Sequence, residues 1–155
     1  MKAITTCQPY AELIASGAKR IENRTWSTSY RGELAIHAGK RRPRREPLAA
    51  KGATGRSRIS RGMDAAPTSL GDENGTKNGN YVFGAVVAIV KLTAVLRLDE
   101  LMDGKHPEYS WLLSNPYAEG PWCWVLEDVR RVEPVYCKGF QGLWNWDRKN
   151  ERLVG

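Results

Sequence analysis

Histidine and cysteine are scarce in this chain, and that scarcity removes whole classes of chemistry. Two histidines, His37 and His106, and three cysteines, Cys7, Cys123 and Cys137, stand far apart. No spacing among them suits a metal ion, so the sequence predicts no structural zinc and calls for no cofactor. An odd number of dispersed cysteines, with no export pattern at Met1-Lys2-Ala3-Ile4, predicts reduced thiols and a cytoplasmic location. Long apolar runs are missing as well. The longest, Val82 to Val90, contains Gly84 and falls short of the ~20 residues a membrane helix needs; it reads as a buried strand. Absent too are a Gly-x-Gly-x-x-Gly turn, a phosphate loop ending in Gly-Lys-Ser/Thr, a His-Glu-x-x-His pair and a Gly-x-Ser-x-Gly elbow. Common dinucleotide, nucleoside-triphosphate, zinc-protease and serine-hydrolase sites are thereby excluded.

The middle of the chain has an absence of its own. From Lys40 to Asn80 there is no aromatic residue and no valine, although the 155 residues include six Trp, six Tyr and two Phe. Such a stretch buries too little apolar surface to offset the entropy of ordering it. It reads as a mobile insertion at about 41–80 within one domain spanning 1–155, since some 39 preceding residues are too few to fold alone. The insertion also holds the charge. Between Lys40 and Arg61 nine cations face the single acid Glu46, while the whole chain carries a net +7; the remainder is near neutral. A concentrated run of Arg and Lys is suited to phosphate, and hence to nucleic acid, with a solvated loop as the plainer alternative.

What surrounds the insertion is regular. Lys2 to Thr5 reads as a strand. Pro9 to Ser16 reads as a helix, with Pro9 in the first turn, Tyr10, Leu13 and Ile14 on one face, and Gly17 as its stop. Ile21 to Trp26 and Glu33 to Ala38 read as a strand pair, with Leu34 and Ile36 inward. Tyr81 to Leu96 is a long β-branched strand and Leu98 to Met102 one helical turn. Trp122 to Val129 and Gly142 to Trp146 complete the set, with turns at Pro134 and Gly139. Together these predict an α+β fold, a small mixed barrel with one or two flanking helices and a long basic insertion.

One stretch carries chemistry: Gly17-Ala18-Lys19-Arg20-Ile21-Glu22-Asn23-Arg24-Thr25-Trp26. On a strand, Glu22, Arg24 and Trp26 share a face. A carboxylate, a guanidinium and an indole side by side offer an acceptor for base N–H groups, a fork for phosphate and a ring for stacking. Lys19 joins them only if Gly17-Ala18-Lys19 turns the chain inward. The alternative is an exposed strand with surface ion pairs.

Several of these segments together resemble a known family. Gln8-Pro9-Tyr10-Ala11-x-Leu13-Ile14, Gly17-x-Lys19-x-x-Glu22-x-Arg24-x-Trp26, Tyr30-Arg31-Gly32 and Ile36-His37-Ala38-Gly39-Lys40 are similar to the ASCH family, the activating-signal-cointegrator homology domains of the PUA-like superfamily. Gly120 to Glu127, and Pro134 through Gly142-Leu143-Trp144, resemble its closing strands. The resemblance implies a PUA-like β-barrel with a helix beside a cleft lined by Lys19, Glu22 and Arg24. It implies binding of RNA, taken here as single-stranded, or of a modified nucleotide. Tyr10, Trp26, Arg31, His37, Lys40, Arg41, Arg42, Arg44 and Arg45 complete the candidate binding set, with Trp26 as the stacking ring. A second reading is an enzyme, a ribonuclease or an amidohydrolase acting on N4-acetylcytidine, with Lys19 and Glu22 catalytic. In that branch a threonine nucleophile stands three residues after the lysine, whereas this chain has Glu22 there. A third reading is a transcription-related protein-interaction domain.

Overall fold

The two β-branched and aromatic runs of the sequence become the two strands on which the rest is built. The computed structural model describes residues 1–41, 81–147 and 149. In chain order these form β1 (Lys2–Thr6), α1 (Tyr10–Ala15), β2 (Ile21–Arg24), β3 (Gly32–Ala38), β4 (Ala85–Arg97) and α2 (Leu98–Met102). A 3-10 segment (Pro107–Ser114), β5 (Trp122–Tyr136) and β6 (Leu143–Asn145) follow. The insertion expected at about 41–80, with Arg42, Arg44 and Arg45, lies from residue 42 onward outside the described residues.

All six strands join one sheet in the order β2-β5-β4-β3-β1-β6. β1 and β3 run parallel and every other pair antiparallel. Register shifts punctuate the β4–β5 ladder at Val86/Ala88, Ile89/Lys91 and Leu92/Ala94, and β3–β4 at Ile36/His37. Bulges bend the strand that carries them and sharpen its twist, so four along one path curl a sheet. The result is a half-barrel rather than a closed one. Among the described residues the edge strands β2 and β6 pair with nothing further.

Three sequence expectations need correction. Ile21–Trp26 does not pair with Glu33–Ala38. β2 ends at Arg24 and pairs with β5, from Ile21 opposite Val125 to Arg24 opposite Trp122. The reason is burial. β3 hides Leu34, Ala35, Ile36 and Ala38 on its two faces and so belongs between neighbours, whereas β2 offers Ile21 alone and suits an edge. Pro134 makes no turn; β5 runs through it to Tyr136. It falls at the Val86/Ala88 irregularity, where the ladder needs no amide from it. Finally, α1 buries Ala11, Ile14 and Ala15 rather than Tyr10 and Leu13. Two alanines let the short helix lie close against the sheet and turn Tyr10 away.

Three apolar clusters hold the fold. Ile4, Ile14, Leu34, Ile36, Trp124 and Leu126 are among those filling the space between α1 and the sheet. Ile21, Leu96, Leu101, Leu112, Cys123 and Val125 join β2, β4 and β5 to α2 and the 3-10 segment. Ala3, Val86, Ile89, Val132 and Trp146 cover the opposite sheet face. Arg131 on β5 also grips the Glu12 carboxylate of α1 with two nitrogens, tying the helix across the curl. No helix among the described residues is long and apolar enough to cross a membrane.

Candidate functional site

Three neighbouring pieces of backbone build one cleft. α1 stops at Gly17, whose φ of +79° lies in the left-handed region that glycine enters freely. The amides of Gly17 and Lys19 then return to the carbonyls of Ile14 and Leu13, each at 2.9 Å. That turn directs Lys19 back toward β2, which supplies Glu22 and Arg24 two residues apart. The end of β1 supplies Thr6.

Glu22 is the hub. Its Oε2 lies 2.6 Å from Lys19 Nζ, and its Oε1 accepts a 2.8 Å hydrogen bond from the Thr6 hydroxyl and faces Arg24 Nη2 at 3.1 Å. Arg24 Nη2 also donates to the Thr5 carbonyl at 2.9 Å. Burial alone pushes the Glu22 carboxyl upward, but the Lys19 and Arg24 charges and the Lys19 and Thr6 hydrogen bonds outweigh it and hold the group below its ordinary 4.5. Glu22 is therefore an anion at neutral pH. Lys19 is 2% exposed, and its ammonium sits over the Tyr10 ring, 5.2 Å from the centroid. Burial raises the Tyr10 phenol and the Cys7 thiol, so both line the cleft in protonated form.

The cleft holds about 360 Å³, and Glu119 forms part of its rim. Asn23 fixes that rim. Its side-chain nitrogen donates to the Tyr117 carbonyl at 2.7 Å, and its oxygen accepts from the amides of Glu119 and Gly120, both at 3.0 Å. Among the described residues no group of three His, Cys, Asp or Glu side chains could hold a metal ion.

Of the residues singled out in the sequence, Lys19, Glu22, Arg24 and Tyr10 meet here. The others do not. Trp26 lies beyond the end of β2, where strand alternation no longer applies; half-buried, its ring packs edge-on against the core residue Trp124 at 4.8 Å. Arg31 is exposed and turns back to the carbonyls of Thr28 and Tyr30. His37 is buried on the other side of β1, with Nε2 3.1 Å from the Cys137 carbonyl. Lys40 and Arg41 are exposed where the chain leaves β3. Thr6, Cys7, Asn23 and Glu119 line the cleft without having been singled out. Only Asn23 had a local signal, since it sits between two cleft residues; the others depend on which strands become neighbours.

The ASCH domain family model matches residues 4–136 of this chain. Among solved structures, the chain is similar to ASCH from Zymomonas mobilis at 15% identity and a TM-score of 0.48, over 96% of this chain and 87% of that one. Two mutant forms of the same Zymomonas mobilis protein align at 16% identity with TM-scores of 0.48 and 0.47, over 96% of this chain and 88% and 90% of theirs. No curated protein matches the sequence.

Proposed function

The chain belongs to the ASCH domain family, and from that premise we propose that its cleft binds a nucleotide, either free and modified or as one unit of a single-stranded RNA. One observation carries the reading: an ammonium group only 2% exposed forms the floor of an open cleft. Burying a lysine is costly unless its charge is used. Lys19 has three donor hydrogens and, among the described residues, one hydrogen-bond acceptor, Glu22. Arg24 Nε is buried with no partner. Two cations thus face one carboxylate at the floor, Glu119 adds a second at the rim, and Lys19 and Arg24 Nε keep donors without an acceptor among the described residues. Base carbonyls and phosphate oxygens satisfy such donors. Tyr10 adds a ring surface, and about 360 Å³ suits a single base better than a helix.

Fluorescence anisotropy of a short single-stranded RNA, at two salt concentrations, tests this with wild type beside Lys19→Ala. The expected result is binding at physiological salt that weakens at least ~10-fold in the variant, the loss of a charge-assisted contact. Binding indifferent to Lys19 overturns the reading.

The hydrolase reading gains one specific observation, the Thr6 hydroxyl bonded to Glu22 beside Lys19. A general base works best with a pKa near the operating pH, and Glu22 is held the other way. That places hydrolysis second. Product that forms in wild type and disappears in Glu22→Gln, while RNA stays bound, would reverse the order.

A further inference from the structure

On the far side of β1 from the Lys19 cleft lies a larger recess of about 820 Å³. The two adjoin through consecutive residues, because neighbouring side chains on a strand point to opposite faces. Thr6 turns its hydroxyl to Glu22, and Thr5 faces the recess while its carbonyl takes the Arg24 hydrogen bond.

We infer that this recess is a second subsite, which takes the nucleotide adjoining the one held in the Lys19 cleft; the inference rests on the binding proposed above. Charge points to it first. Lys40 and Lys138 line the recess, both exposed, and its described lining contains no carboxylate. Neither lysine has an acidic partner among the described residues, as is also true of Lys2, Arg20, Arg31 and Lys91 elsewhere. An exposed ring comes next. Tyr136, 60% exposed, forms part of the wall, while Phe140, outside that lining, packs edge-on against Trp144 at 5.4 Å and has Lys138 Nζ 5.5 Å from its centroid. Cations beside an exposed ring are what a single strand needs, since every phosphate is anionic and every base has a face to stack.

The floor is polar. His37 approaches the Cys137 carbonyl through Nε2, and burial holds its imidazole below the ordinary 6.5 and hence neutral at pH 7. The proton then belongs on Nε2, leaving Nδ1 as an acceptor. Nδ1 and the Thr5 hydroxyl are both buried without a partner, beneath Gly139. Size completes the argument. The Lys19 cleft accommodates one base, so a longer strand must leave it, and the recess adjoins it at the end of β1.

The experiment is a length series, from mononucleotide to tetranucleotide RNA, titrated against the full chain. Wild type is expected to gain at least ~10-fold in affinity once a second nucleotide is present. The Lys40→Ala/Lys138→Ala double variant should lose most of that gain, and its salt slope should fall by about 1.4, or ~0.7 per lost phosphate contact. Lys40→Arg/Lys138→Arg should restore both, which separates charge from any effect on folding. Lys19→Ala should weaken every length. A length gain and salt slope that persist in the double alanine variant, while Lys19→Ala still abolishes binding, overturn the second subsite and leave the cleft reading standing. Binding at no length, or binding indifferent to Lys19, overturns both.

Discussion

Glu22 is the residue on which the cleft is organised, and its ionisation has a consequence for stability. Its carboxyl is held below 4.5 in the fold by Lys19, Arg24 and Thr6, against the opposing effect of burial. The unfolded chain therefore takes up the proton first as pH falls. The stabilisation is complete above about 4.5 and is lost as pH drops through the folded value. Glu22→Gln removes it at every pH and leaves Lys19 and Arg24 facing each other uncompensated. The variant should be clearly less stable than wild type at pH 6, and the gap should narrow toward pH 3. Urea midpoints for both proteins across that range check this; a constant gap would mean that the carboxylate is not held by its neighbours. At this scale the sequence was informative wherever local geometry decides. Glu22 and Arg24 share a face because two-residue spacing on a strand demands it. Trp26 obeys the same spacing but lies past the last strand residue, and an aromatic freed from the pleat packs, half-buried, against Trp124 at the edge of the core.

Among elements, the turn after α1 does most to place the cleft. Lys19 sits three residues before Glu22 and would face away from it on a continuous strand. The left-handed Gly17 and the Lys19 amide bond to Leu13 bring it round. An added Cβ at Gly17 meets nothing within 4 Å, so the cost of Gly17→Ala is that of the backbone alone. That is roughly 1–2 kcal/mol for a left-handed alanine, reduced by roughly 0.4–1 kcal/mol through the stiffer unfolded chain. A net loss of about 1 kcal/mol is expected in urea titrations, together with weaker RNA binding, and Gly17→Asn should be milder because asparagine tolerates this region. Alanine at no cost would show that another restraint aims Lys19. The turn was legible as Gly-x-Lys after a helical run, and so were α2 and most strand positions. Which strands pair was not. β2 finds β5 about a hundred residues away through Ile21 and Val125, and that choice depends on two apolar surfaces that no local pattern reveals.

For the whole molecule, the question is how the cleft and a strongly basic segment divide the proposed binding. β3 and β4 are adjacent antiparallel strands, with Ala38 opposite Ala85. Residues 42–80 thus stand where a hairpin needs only a short connection. Replacing them with a four-residue Gly-Asn-Gly-Ser link should leave the six strands paired. The same change removes eight cations and four acids, lowering the net charge from +7 to +3. If these cations meet phosphates, the slope of log affinity against log salt should flatten by ~0.7 per contact. The requirement for Lys19 should remain, because the groups seen to place it, the Gly17 turn, the Leu13 carbonyl and Glu22, lie outside residues 42–80. Phosphate contacts made by a chain segment add affinity without reading bases. The shortened protein should therefore lose affinity for all RNAs by a similar factor while keeping its order of preference among them. Anisotropy titrations at two salt concentrations, on a small panel of sequences, measure both quantities. An unchanged slope would reject the segment as a binding arm, and a changed order of preference would mean that it reads bases as well as backbone.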